Sequence, residues 1–196
     1  MNRYKSIVLV LFTLLMAWTS IAQVKVERQH RIKKNQFPQV AHEFIKEKLK
    51  DVKNIRFYKE TDTSKVSYEA KFKKDKLFYG LGFDEYGKLQ DIVIIINILD
   101  IPKQTWTNIT LVLKEKFSKY KVRQMQQRYP VTSNQNIDIT LKNAFQNLMI
   151  PSINYELLVS GKIDDERMDY ELLFSANGDF VRMKESLPAN YDHVLY

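Results

Sequence analysis

The side chains able to do covalent or metal chemistry are few and scattered. There is no cysteine, which removes thiol nucleophiles, thiolate zinc sites and redox pairs. The three histidines, His30, His42 and His193, fall in a polar lead, on the polar side of an amphipathic segment and in the C-terminal tail. They form no metal-ligand spacing such as His-Glu-x-x-His, so the expectation is three solvated rings, with no metal and no cofactor. Five glycines are too dispersed for a phosphate-cradling loop, and no serine stands in a Gly-x-Ser-x-Gly turn. Carboxylates do cluster at Asp84-Glu85 and Asp164-Asp165-Glu166. Both groups read as exposed turns, where a carboxylate keeps its ordinary pKa and serves poorly as a buried acid. The residues therefore argue against an enzyme.

A second pattern sets aromatic beside basic side chains. Tyr58, Phe78 and Tyr129 are expected on the strand face opposite the core, near Arg56, Lys71, Lys73 and Arg123. Amphipathic aromatics flanked by cations suit a protein or glycan surface, although scattered surface aromatics also need no function. The other lysine-rich stretches are interleaved with Glu and Asp and read as solvated faces.

These residues depend on elements whose periods are legible. Pro38 suits the first turn of a helix on which Val40, Phe44, Ile45, Leu49 and Val52 recur at helical spacing. The period then changes to two: Ile55 and Phe57; Val66, Tyr68, Ala70 and Phe72; Leu77, Tyr79, Leu81 and Phe83. These are strands with one buried face. Lys73 to Lys76 is a hairpin connection, Asp84 to Gly87 a turn, and a further strand runs from Lys88 to about Leu99. Pro102 opens a second helix carrying Trp106, Ile109, Leu113 and Phe117, followed by an extended segment from Tyr120 to Tyr129 and strands again from Asn154.

An offset of 91 residues aligns Leu77, Tyr79, Leu81, Phe83 and Gly87 with Met168, Tyr170, Leu172, Phe174 and Gly178. That self-similarity reads as an internal repeat. The second hairpin, matched at an offset of 87, is expected to have a loop four residues longer, Gly161 to Glu166. An insertion, 131–151, carries a further amphipathic helix with Leu141, Ala144, Phe145 and Leu148, capped by Asp138 or Thr140. It should cover Ile92 to Ile96, which is apolar on both faces.

The first 22 residues have the plan of a cleavable export signal: Arg3 and Lys5, an apolar run from Ile7 to Trp18, then small side chains at Ser20 and Ala22. The run of 12 residues is too short for a hydrocarbon core that needs roughly 20 helical residues. Removing the signal leaves 174 residues with 29 basic and 23 acidic side chains, a charge of +6. The expectation is an exported protein, periplasmic or extracellular, with no stable membrane anchor and no nucleic-acid partner. The reading divides the chain into a signal peptide (1–22), an arm (23–36), a first repeat (37–100), a second repeat (101–187) with its insertion, and a tail (188–196).

The order of elements and the residues Ile55-Arg56-Phe57, Tyr68-Glu69-Ala70-Lys71-Phe72, Tyr79 and Phe83-Asp84-Glu85-Tyr86-Gly87-Lys88-Leu89 resemble the PepSY-like, β-lactamase-inhibitor-protein-like domains of exported Bacteroidota proteins. The match is good over 37–97 and looser over 102–186. Phe57 stands where such domains often carry Trp, and the hairpin turn lacks the usual Asp-Gly. The resemblance implies an α+β fold of two tandem repeats, each a helix packed on a four-stranded antiparallel sheet whose other face is open. In the inhibitor that gives the fold its name, that face grips an enzyme. No inhibitory residues carry over, and fold alone does not fix function. Two functional readings follow: a non-enzymatic module that engages or inhibits another envelope or secreted protein, and a periplasmic binder of a small anionic or glycan ligand. A broad flat face favours the first and a closed pocket the second.

N-terminal sequencing of the exported protein should begin at Gln23, after cleavage at Ala22; an envelope form that begins at Met1 overturns the signal assignment.

Overall fold

The period-two segments build a single sheet. In the computed structural model, which describes residues 28–62, 65–132 and 136–186, nine strands lie side by side in chain order, each antiparallel to the next. They are β1 (Arg28–Ile32), β2 (Arg56–Asp62), β3 (Lys65–Lys74), β4 (Leu77–Phe83), β5 (Leu89–Ile96), β6 (Lys119–Pro130), β7 (Asn154–Ile163), β8 (Glu166–Ser175) and β9 (Phe180–Ser186). Three helices, α1 (Gln39–Lys48), α2 (Lys103–Lys116) and α3 (Ile137–Phe145), complete an α+β fold. None of the described helices is long and apolar enough to cross a membrane. The segment expected to be a signal peptide, the first part of the arm and the tail lie outside the described residues.

Two separate four-stranded sheets are not what forms. β5 pairs with β6, Ile92 opposite Tyr129 and Ile94 opposite Gln127, so the sheet runs unbroken through both halves. The cause lies in β5, where Ile92, Val93, Ile94 and Ile96 are all buried. A strand apolar on both faces is a poor edge, because an uncovered apolar edge offers unpaired backbone groups to other chains. The ninth strand comes from the arm: β1 pairs with β2, from Arg28 opposite Thr61 to Ile32 opposite Phe57.

The core lies on one face. In α1 the buried positions are Ala41 and Ile45, with Phe37 before and Leu49 after the helix. Val40, expected in that stripe, is 60% exposed, because the sheet meets the helix about one position away from the expected phase. The rings of Phe37, Phe57 and Phe83 gather beneath it, Phe37 lying 4.7 Å from Phe57 and 5.6 Å from Phe83. On α2 the expected stripe holds: Ile109 and Leu113 are fully buried, each worth about 1.5–3 kcal/mol relative to exposure. Phe117, just past the helix, packs on Tyr170 at 5.1 Å.

The insertion helix α3 falls within 131–151 and packs on the first half of the sheet. It contacts β5, and Phe145 sets its edge on Phe72 and Tyr79, with centroids 6.5 and 5.4 Å away. Its cap is Asn136, whose side chain accepts from Asp138 N, not Asp138 or Thr140. The second hairpin also differs from expectation. Its loop is only Asp164-Asp165, both at positive φ, matching Asp75-Lys76 in the first hairpin. The added residues lengthen the paired arms between the matched ladder pairs, Tyr68–Phe83 and Tyr155–Phe174, and the turn, since positive φ at both central positions gives the tight turn whose twist suits flanking strands.

Local geometry recurs at the 91-residue offset. Ladder shifts fall at Gly82/Phe83 and at Leu173/Phe174. Asp84 Oδ1 accepts from Tyr86 N and Lys88 N, and Ser175 Oγ accepts from Asn177 N and Asp179 N. Gly87 and Gly178 take φ of 84° and 86°, each pressed on a helix start. A Cβ on Gly87 would lie 2.9 Å from Ala41 N, and one on Gly178 would lie 2.5 Å from Thr105 O.

Gly178→Ala should destabilise the protein by roughly 2–4 kcal/mol, from strained φ and the clash with α2 together, with denaturant unfolding as the measurement; a change under about 0.5 kcal/mol would contradict the packing described.

Candidate functional site

None of the described helices lies on the second face of the sheet, which carries a trough of about 600 Å³ with side chains from strands across its width. Gly82 forms part of its floor, and the sequence of β4 shapes the face. There Gly80 and Gly82 alternate with the core residues Tyr79, Leu81 and Phe83, so this strand presents no side chain to the trough at those two positions. Neighbouring carboxylates occupy the space: Glu69 Oε1 lies over Gly80 and Asp91 Oδ1 over Gly82, each where a Cβ would otherwise stand. Alternate glycines in a strand mark such close approaches.

Two linked charge groups follow. In the first, Lys71 Nζ donates to Gln29 Oε1 at 3.0 Å and lies 3.3 Å from Glu69 Oε2, while Gln29 Nε2 donates to Glu69 Oε2 at 2.8 Å. Gln29 thus ties the edge strand β1 to β3 across β2. The Lys71 ammonium also stands 4.7 Å from the centroid of the Tyr58 ring, an arrangement that favours the cation once it is desolvated. Lys71 is only 4% exposed, and a buried ammonium with this many partners is a positioned group.

In the second group Arg128 bridges Asp91, at 2.7 Å from Nη1, and Glu156, at 2.5 Å from Nη2. Burial pushes the Asp91 carboxyl above its usual range; Arg128 pulls it back, and Glu69 and Glu156 push it up again. Burial also works against the Arg128 charge, but Asp91 and Glu156 more than offset it, and the guanidinium is held more firmly protonated than usual. Further along the face Arg123 reaches Ser160 Oγ and Asp169, both at 3.4 Å, and Lys184 pairs with Glu171 at 2.8 Å. Each of these acids thus stands beside a base.

The expected site residues divide. Tyr58 and Lys71 come together as described, with Arg56 opposite Lys71 in the ladder. Lys73 and Phe78 face each other, the ammonium 5.1 Å from the ring centroid. Arg123 lies on the same face in the other half of the sheet, apart from these. Tyr129 does not belong: it pairs with Ile92, is 1% exposed and points into the core. The reason is register, since a one-residue difference along β6 moves a side chain to the other face. His30 stands on the edge strand and His42 on α1, while His193 is outside the described residues. Of the turn carboxylates, Asp84 accepts from Lys88 N within its own turn and Asp165 pairs with Lys162.

Glu69, Asp91, Arg128, Glu156 and Gln29 were not identified from sequence. The available signal was Tyr79-Gly80-Leu81-Gly82-Phe83, where glycine fills every outward position; the partners that fill that space come from other strands.

Arg128→Met should cost about 3–5 kcal/mol by leaving buried carboxylates unpaired, read by urea unfolding at pH 7. Asp91 holds its proton to higher pH folded than unfolded, so its ionisation weakens the folded state as pH rises from the ordinary carboxylate value of 3.8 through the raised one. Asp91→Asn should remove that decline, and its stability relative to the native protein should rise between pH 4 and 7; a falling difference would overturn the assignment.

No family model matches the chain and no curated protein matches it. Solved structures do. One from Bacteroides eggerthii, described as periplasmic, is 15% identical with a TM-score of 0.52, covering 80% of this chain and 93% of the other. A DUF2874 family protein from Bacteroides ovatus is 11% identical with a TM-score of 0.52, covering 80% and 92%. A BLIP-like protein from Bacteroides fragilis is 15% identical with a TM-score of 0.48, covering 82% and 92%. At such identities the likeness is one of fold. The chain shares its fold with periplasmic and DUF2874 family proteins of Bacteroides.

Proposed function

We propose that this is an exported, non-enzymatic binding protein that engages another envelope or secreted protein through the open face of its sheet. The observation that carries the reading is the trough: a broad, uncovered concavity in which Lys71 and Glu156 are nevertheless 4% and 8% exposed. Burying ions is costly unless they are paired and fixed, and a face made only to meet solvent has no need of it. Pre-formed pairs instead supply an electrostatic pattern that selects partners and fixes register. Arg128 Nε is buried with no hydrogen-bond partner among the described residues, a donor that suits a partner's carbonyl.

The recurrence of bulge, turn and helix-pressed glycine at the 91-residue offset supports two copies of one unit, each a helix followed by four strands, fused through β5 and β6. Fusion doubles the width of the open face. An export signal and periplasmic or extracellular residence accord with the description of the Bacteroides eggerthii neighbour. The small-ligand reading is weaker, because the trough is open and Lys71, Arg128 and Lys184 in it are already paired with carboxylates.

Affinity capture from the native envelope with residues 23–196 as bait tests this. Ile95→Arg with Leu158→Arg, both lining the trough, should reduce recovery of the captured partner at least tenfold, about 1.4 kcal/mol or more. Leu111→Arg, on α2 and 62% exposed, should leave recovery unchanged. A folded trough variant that retains the partner, or a bait that recovers no protein above background, would sink the proposal.

A further inference from the structure

The core face holds a polar row that the trough does not use. Tyr79 on β4, Ile94 on β5, Gln127 on β6 and Tyr155 on β7 are successive ladder partners across four strands. Tyr79 is 1% exposed, and Gln127 and Tyr155 are fully buried. Neighbouring strands stand about 4.8 Å apart, so Gln127 and Tyr155 are immediate neighbours and Tyr79 is one apolar strand away. Tyr129, two residues from Gln127 on the same face, joins them. Gln127 Nε2 donates to its hydroxyl at 2.5 Å, and that hydroxyl donates to Leu148 O, beyond α3, at 2.9 Å.

Three polar atoms of the row are buried and have no hydrogen-bond partner among the described residues: Tyr79 Oη, Tyr155 Oη and Gln127 Oε1. Asn147, beside Leu148 on the covering segment, has a buried, unpartnered Oδ1 as well. Leaving such an atom unmet costs its full desolvation, and buried polar groups in folded proteins nearly always find a partner. The apolar neighbours Phe72, Ile94 and Phe145 would pack as well against phenylalanine as against Tyr79, so packing does not require the hydroxyls.

We propose that this row is the floor of an internal site that takes a small uncharged hydroxyl-bearing guest, enclosed by α3 and the segment that follows it. The class of guest follows from the atoms. Gln127 Oε1 only accepts, its amide already being committed, while each phenol both donates and accepts, and a hydroxyl group meets both needs. No ionised side chain belongs to the row. Burial pushes the phenols of Tyr79, Tyr129 and Tyr155 up, so they remain neutral and offer a charged guest no counter-ion. Of these residues only Tyr129 borders the neighbouring cavity of about 230 Å³, with Asn143 and Ile150, so the guest sits against the row itself, beneath Phe145 and Leu148, and must be small. Such a guest comes from one of two sources, solvent water or a small neutral alcohol.

Tyr79→Phe and Tyr155→Phe each remove one oxygen and keep the ring. If the hydroxyls hold a guest, each substitution loses a hydrogen bond and should lower Tm by about 2–4 °C. If they hold nothing, removing an unmet polar atom should leave Tm unchanged or raise it, which overturns the proposal. Water-oxygen relaxation dispersion on the native protein and the double variant, with mass spectrometry of the small molecules released on denaturation, separates the sources. A dispersion amplitude lost in the double variant identifies water, and a neutral alcohol recovered only from the native protein identifies a solute. Finding neither overturns the proposal.

Discussion

The two faces of a pleated sheet are built from alternate residues of the same strands, and the structure follows from how differently they are used. One face meets α1, α2 and α3 and is apolar almost throughout. The other meets none of the described helices, yet β5 and its neighbours still demand burial there, since Val93 is 7% exposed. The solution is to lay charged side chains flat on the sheet, over glycines, and bind them to one another. Gly80 and Gly82 are therefore structural conditions for the electrostatics: without them Glu69 and Asp91 would have no space to lie against the floor, and Lys71 and Arg128 would lose the partners that hold them.

Fusion of the two halves depends on the same strand. A β5 that was polar on one face could have ended a four-stranded unit, with the second unit free to move. Because it is apolar on both faces, it must be central. The insertion helix packs on that strand, tied at one end by Lys48, which bridges from α1 to Asp138 on α3 at 2.8 Å. The charged trough and the buried tyrosine row thus lie on opposite faces of the same joined strands.

Much of the architecture was legible in the sequence, because periodicity is a local property. The alternation from Val66 to Phe83, the helical spacing of Trp106, Ile109, Leu113 and Phe117, and the turn at Gly87 all depend on residues within a few positions of one another. What depended on long-range register was not legible. Tyr129 and Arg128 are adjacent in sequence and point to opposite faces; only the pairing of β6 with β5 decides which is buried. The phase error at Val40 has a similar source, since a helix with apolar residues on more than one side is oriented by the sheet it meets. The charge groups were hardest to foresee: Gln29, Glu69 and Lys71, or Asp91, Arg128 and Glu156, are brought together across strands far apart in sequence, and no local pattern links them.

The strand order of the meander has a consequence for how the chain reaches this state. Every ladder joins strands that are consecutive in sequence, so the loops closed at each step are short except where a helix intervenes, and loop-closure entropy stays small. A polypeptide delivered from its N-terminus, as from a ribosome or a membrane pore, can extend the sheet one strand at a time without waiting for its last residues. At each stage the newest strand is a temporary edge, open to pairing with another molecule until its successor arrives. Delivery slower than hairpin formation would leave β5, the most apolar strand, exposed while α2 and β6 are still to come. Assembly is most vulnerable to aggregation at that midpoint.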